Sequence, residues 1–217
     1  MVALGRGAQQ SVKDRISSLG TTLLTVMPGT ARGGGGPVVS ATDRAPLTLE
    51  DADALAQRGT YLAAVQPELS RTLQVLYGSQ NTSTTVAGVS SNYLEVRNFE
   101  MAAGRMFTLA EDNAHKRLAV LGPEVVKNLG VASAADIIGA SVRINSLQFE
   151  VIGVLVSKGQ GGGFFNPDDQ VLVPIQTARY RLIGNARLRS ISVLAPSEDA
   201  IPMTMADWEE RLQGFLR

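Results

Sequence analysis

The chain has 217 residues, of which 44% are hydrophobic and 18% charged, enough apolar material for a buried core and too little charge for disorder. Lys plus Arg is 20 and Asp plus Glu is 20, so there is no basic field to attract nucleic acid or an anionic membrane surface. The absence of cysteine excludes disulfides, thiolate metal sites and cysteine nucleophiles, and His115 is the only histidine.

In chain order, Met1–Leu19 carries Leu4, Ala8, Val12 and Ile16 four residues apart, an apolar helical stripe that starts without a capping residue and stops at Gly20. The first 15 residues have no signal-peptide core, and no apolar run reaches the roughly 20 residues of a membrane span. Taken alone, these features read as a soluble cytosolic chain. Thr21–Met27 is a β-rich run, and Thr30–Asp43, with its glycines at 33–36, reads as a loop. Thr48 opens a helix with Asp51 at the reciprocal capping position. Leu62–Gln66, Arg71–Tyr77 and Thr82–Val89 are strand candidates, the last two joined as a hairpin through Gly78–Asn81.

Ser91–Asp112 is mixed, with Tyr93, Phe99 and Phe107 and a turn at Gly104. Leu118–Leu121 reads as a strand, and Pro123 starts a short helix through Leu129, since proline at the first helical position sacrifices no hydrogen bond. Ser141–Asn145 and Leu147–Leu155 alternate apolar and polar residues around Asn145-Ser146, predicting a second hairpin. Lys158–Asp169 is a second glycine-rich loop. Val171–Pro174 predicts a strand, Ile175–Ile183 a helix stopped by Gly184, and Leu188–Leu194 another strand. Met205, Trp208, Leu212 and Phe215 recur at helical spacing up to the last residue, Arg217. Uncapped helical patterns at both ends read either as an excised domain or as natural, frayed terminal helices. The whole predicts an α+β domain with a β-rich insertion.

Chemical motifs are weak. The Arg32–Pro37 glycine run lacks the Gly-Lys-Ser/Thr that a phosphate loop needs. His115 lies near Glu111 and Asp112, but neither a Gly-x-Ser-x-Gly elbow nor a His-Glu-x-x-His helix is present, so an exposed loop is expected and no catalytic residue is assigned. Asp168-Asp169 is a carboxylate pair without calcium-loop spacing, expected to be solvated; no metal site and no cofactor are assigned. Phe164 and Phe165, adjacent in the second glycine loop, are candidates for contact with cargo or an adaptor protein, against the alternative that one ring plugs the gap between two lobes.

An ordered series of segments resembles one family. It runs through Ile16–Gly29, Ser91–Asn98, Gly104–Phe107 with Glu111-Asp112, Arg117–Gly122, Ile138-Gly139, Val142–Asn145, Phe149–Leu155 and Val171–Pro174. Together they are similar to the periplasmic core domain of MacB-like ABC transporter permeases, which are related to the FtsX and LolC permeases. Where the family usually has Asp-Pro before the Ile-Gly turn, this chain has Asp136-Ile137, and Met106 stands where an aromatic or aliphatic residue is common.

The resemblance implies a two-lobed α+β body. A porter-like α/β lobe with terminal stalk helices would comprise residues 1–92 and 169–217, and an inserted β-rich, sabre-like lobe residues 93–168. It implies a non-enzymatic domain on the periplasmic face of the inner membrane, whose parent's ATPase lies in a separate cytoplasmic domain. It also implies mechanical coupling to export of a macrolide, peptide, toxin or lipoprotein. The implied partners are a second permease copy, a membrane-fusion adaptor and an outer-membrane channel. The alternative is a regulatory head that activates a cell-wall hydrolase or senses a peptide.

Overall fold

Period-two patterning and tight turns build this molecule around one mixed sheet. The structure, a computed structural model, describes residues 23–27, 47–58, 63–159, 166–184 and 187–195. The elements are β1 (Leu23–Val26), α1 (Leu49–Arg58), β2 (Ala64–Tyr77), β3 (Gln80–Val89), α2 (Tyr93–Arg97), β4 (Met101–Gly104), α3 (Leu109–Asn113), β5 (Leu118–Leu121) and α4 (Pro123–Asn128). A 3₁₀ turn (Ala134–Ile137), β6 (Ser141–Ile144), β7 (Leu147–Leu155), β8 (Gln170–Pro174), α5 (Ile175–Thr177), a π-helical turn (Ala178–Ile183) and β9 (Ser190–Leu194) follow. Strands dominate this α+β fold. The terminal stripes, the first glycine run and Trp208 lie outside the described residues.

The strand order is β1-β9-β2-β3-β8-β5-β7-β4, with β6 set against β2 and β7. β3 with β8 and β5 with β7 are parallel; the other pairs are antiparallel. Both expected hairpins form. Tyr77 faces Gln80 across Gly78-Ser79, a tighter turn than expected. Ile144 faces Leu147 across Asn145 (φ 46°) and Ser146 (φ 72°), the doubly left-handed turn that matches strand twist.

The strand candidates on either side of Pro67 fuse into the 14-residue β2. Proline normally ends a central strand because it cannot donate to the ladder. Here β3 ends at Val89, opposite Glu68, so Pro67 lies where β9 alone flanks β2. The expected 175–183 helix is present but splits into an α turn and a π turn, closed by Gly184 in the left-handed region.

Successive residues of β3 point to opposite faces. Gly88 meets the Ala178 side chain on one face, whereas Ala87 and Val89 join Tyr93, Phe107 and Leu172 on the other. The larger core lies on the first face and gathers α1, α4, the π turn and the inner residues of β6, β7 and β9, including Leu55, Val125, Phe149 and Ile191.

Candidate functional site

Strands from 93–168 join those from the flanking segments through short ladders. β5 meets β8 in two residue pairs, Val120 with Leu172 and Leu121 with Val171, and β6 meets β2 in two pairs. Polar contacts brace this seam.

On the α2 face, Tyr93 lies buried and donates its hydroxyl to Gln170 Oε1 at 3.2 Å. Burial, with the Glu68 charge adding to it, pushes this phenol well above its ordinary range. Arg97, in the last turn of α2, pairs with Glu68 on β2 at 3.3 Å. Lys158, just past β7, donates to the Arg97 carbonyl at 2.8 Å and sits 4.2 Å above the Phe99 ring, which stacks on Tyr93 at 5.7 Å. Burial, then the Arg97 charge, lowers the Lys158 ammonium below its usual range.

Past the end of β8, the α3 turn grips the segment that follows that strand. Thr108 and Glu111 form a full capping box at the start of α3, and Arg105 holds Glu111 with two bonds of 2.8 Å. The guanidinium, helped by the Thr108 amide, lowers the Glu111 carboxyl to about 2. Asp112 is buried and accepts the Gln176 amide at 3.0 Å, and Thr177 donates to the Lys116 carbonyl at 2.9 Å. Desolvation raises Asp112 above its ordinary value, against the opposing pull of that amide and of His115.

His115 is exposed, as expected, but it ends a helical turn rather than lying in an open loop. Its backbone is left-handed (φ 52°) and its ring stacks on Tyr180 at 5.2 Å. Among the described residues no hydroxyl bonds this imidazole; His115 meets Asp112 through its backbone amide, which donates to the Asp112 carbonyl at 2.8 Å, and through its charge. Among the described residues no group of three His, Asp or Glu side chains is arranged to hold a metal.

Asp168 corrects the solvated-pair expectation. It is buried and accepts the Ser157 hydroxyl at 2.5 Å, the Lys158 amide at 2.8 Å and the Gly159 amide at 3.1 Å. Its own amide bonds Asn166 Oδ1 at 3.0 Å, and its carbonyl accepts the Glu124 amide at the start of α4. A carboxylate placed among backbone amides of a returning chain finds donors that its sequence neighbours do not reveal. Asp168 thereby ties Gly159 to Asn166, the two flanks of segment 160–165. Phe164 and Phe165 lie in that segment, outside the described residues.

Local spacing could not expose the other bracing contacts. Tyr93 and Gln170 are 77 residues apart, Lys158 and Arg97 are 61 apart, and Asp112 and Gln176 are 64 apart. The Thr108–Glu111 box was the one member with a local signature, Thr-x-x-Glu.

The profile of the MacB-like periplasmic core domain matches residues 1–211. The chain belongs to this family. The MacB-like domain is 34% identical over 210 residues to the macrolide export ATP-binding/permease protein MacB of Bdellovibrio bacteriovorus, covering 97% of this chain and 32% of that protein. It is 32% identical over 193 residues to the protein of the same name from Wolinella succinogenes, covering 89% of this chain and 29% of that one. The chain thus spans about a third of the length of these curated relatives. The crystal structure of the periplasmic region of MacB from Actinobacillus actinomycetemcomitans shares its fold, with a TM-score of 0.74 and 21% identity, over 94% of this chain and 90% of that one. Among the described residues, no helix of this MacB-like domain is long and apolar enough to cross a membrane.

Proposed function

We propose that this domain is the periplasmic head of an ABC transporter permease and transmits ATP-driven movement of membrane helices to cargo. The supporting observation is the placement of β1 and β9. The strands nearest the two ends of the described chain pair with each other, Leu23 directly opposite Leu194. Stems continuing from these strands would leave side by side, as a head carried on two membrane helices requires. Residues 1–92 and 169–217 form the porter-like lobe of this reading and 93–168 the sabre-like lobe, with the braced β5–β8 seam between them.

The head acts without chemistry of its own, in a dimer of permeases working with a membrane-fusion adaptor and an outer-membrane channel. The macrolide export named for the relatives makes a macrolide the first cargo to test, ahead of a peptide, toxin or lipoprotein. Phe164 and Phe165 are its proposed contact with cargo or adaptor.

The test is drug efflux by the full-length permease carrying both Phe164→Ala and Phe165→Ala. Loss of efflux with ATPase activity and folding unchanged supports a contact surface on a mechanical head. Intact efflux removes these two residues from the reading. Capture of a cell-wall hydrolase instead of an adaptor would replace it with the regulatory alternative.

A further inference from the structure

The ladder between β2 and β6 opens into a gap. Val75 faces Ile144 and Leu76 faces Arg143, and there the pairing stops. Bonded pairs alternate with non-bonded ones along an antiparallel ladder. The Asn145 amide bonds the Gln74 carbonyl at 3.4 Å, so the bonded positions fall at Gln74 with Asn145, at Leu76 with Arg143 and next at Gly78 with Ser141. That last pair does not form, because β2 turns back at Gly78 (φ 57°) to set Tyr77 against Gln80. On the other side of β6, the Ala140 carbonyl accepts the Val151 amide at 2.9 Å. Ser141, one residue on, therefore turns its amide and carbonyl away from β7 and into the gap.

A cavity of about 130 Å³, open to solvent, fills this gap and is lined by Leu76, Gly78, Ser141, Val142, Arg143 and Gln148. Register partners share a sheet face, so Leu76, Arg143 and Gln148 stand in one row across β2, β6 and β7, with Ser141 two residues from Arg143 on the same face. The three polar side chains all bring donors: a guanidinium, a hydroxyl and an amide nitrogen. Among the described residues, none of the three makes a side-chain hydrogen bond or ion pair. Glu150 stands opposite Ser141, and no ion pair joins it to Arg143. At the mouth, a Cβ on Gly78 would meet nothing within 4 Å.

We propose that this gap receives an extended, acidic segment of a partner protein, with one glutamate side chain seated in the cavity. Charge complementarity selects the side chain. The planar fork of Arg143 matches the two oxygens of a carboxylate, and Ser141 and Gln148 supply further donors. The lining holds one cation, which suits a singly charged carboxylate better than a phosphate dianion. Leu76 offers an apolar wall to the methylene stem. A volume near the ~150 Å³ that holds benzene admits such a side chain. The Ser141 amide and carbonyl, left without a β2 partner, can bond the main chain of the segment as in strand addition.

Nitrogen-15 NMR titration of the 217-residue chain tests this with three probes: a capped Thr-Glu-Thr peptide, the same peptide with Gln in place of Glu, and sodium acetate. The glutamate peptide should give saturable shifts at the Gly78, Ser141 and Arg143 amides. Binding should weaken about tenfold for the glutamine peptide and for Arg143→Gln, since a charged hydrogen-bonded pair is lost. Arg143→Lys should recover only part of it, because lysine keeps the charge without the fork. Arg143 is exposed, so these variants should fold, which unchanged shifts away from the gap would verify. Equal binding of the two peptides, or no binding of either, overturns the proposal. Acetate matching the glutamate peptide at the same concentration overturns it in favour of a small-anion site. Peptide binding that appears only in Glu150→Gln overturns it too, by showing that Arg143 is held by Glu150 in the native chain.

Discussion

Three carboxylates show how position alone sets the behaviour of a side chain. Glu111, held by Arg105 and the Thr108 amide, titrates at about 2 in the fold, against about 4.3 in an unfolded chain. Its stabilising effect is therefore complete above the unfolded value and is lost as pH falls from there towards 2. Glu111→Gln should be less stable than wild type at pH 7, and the gap should close by pH 2, as followed by thermal denaturation. Asp112 has the opposite sign, because burial raises it above its unfolded value. Its cost to stability is present above the folded value and disappears once both states are protonated. Asp112→Asn, which keeps an oxygen for the Gln176 amide, should match or exceed wild-type stability at pH 7. That advantage should shrink as pH falls through the raised folded value and be gone below the unfolded value of about 3.9. Asp168 accepts three donors at once, so Asp168→Ala should cost about 1–3 kcal/mol for the bonds left unmade. Hydrogen exchange should then quicken at the Lys158 and Gly159 amides.

Single contacts also fix how whole elements meet. The segment Ile175–Ile183 packs so closely on β3 that a Cβ on Gly88 would lie 2.3 Å from the Ala178 Cβ. Gly88→Val should destabilise the domain by at least about 1–3 kcal/mol, the usual cost of overpacking a filled core. Ala178→Gly should recover part of that loss in a double mutant, which chemical denaturation would measure. The Asp136-Ile137 departure from the family pattern is accommodated in the same local way. Ile137 is fully buried, Gly139 supplies a φ of 80°, and the Ala140 amide bonds the Ile137 carbonyl at 3.1 Å. The hydrogen bond closes the turn that a proline would otherwise stiffen.

At the scale of the molecule, one sheet edge carries both ends of the described chain. Antiparallel partners have Cα atoms about 4.5–5.5 Å apart, within reach of a disulfide. Leu23→Cys with Leu194→Cys should therefore oxidise to an intramolecular bond, read as a mobility shift without reductant. Failure to cross-link under oxidising conditions would dismantle the pairing on which the two-stem reading rests. In the other direction, the molecule depends on rings packed deep in the larger core. Phe149 is 0% exposed there, and Phe149→Ala should cost about 3–5 kcal/mol.

The sequence by itself determined most of the strands, though not β4 within the mixed 91–112 stretch, and both hairpins, the capped helix at Thr48 and the family. Alternation, turn chemistry and capping act within a few residues, and an ordered series of segments marks the family even without one specific motif. Tertiary structure alone decided that β2 runs through Pro67, because the harmlessness of that proline depends on where a neighbouring strand stops. It also decided that Asp168 and Asp112 are buried, and that Tyr93, Arg97 and Lys158 meet Gln170, Glu68 and the α2 carbonyl. Those contacts join residues tens of positions apart, and the desolvation and hydrogen bonding that fix their states exist only once the sheet has brought them together.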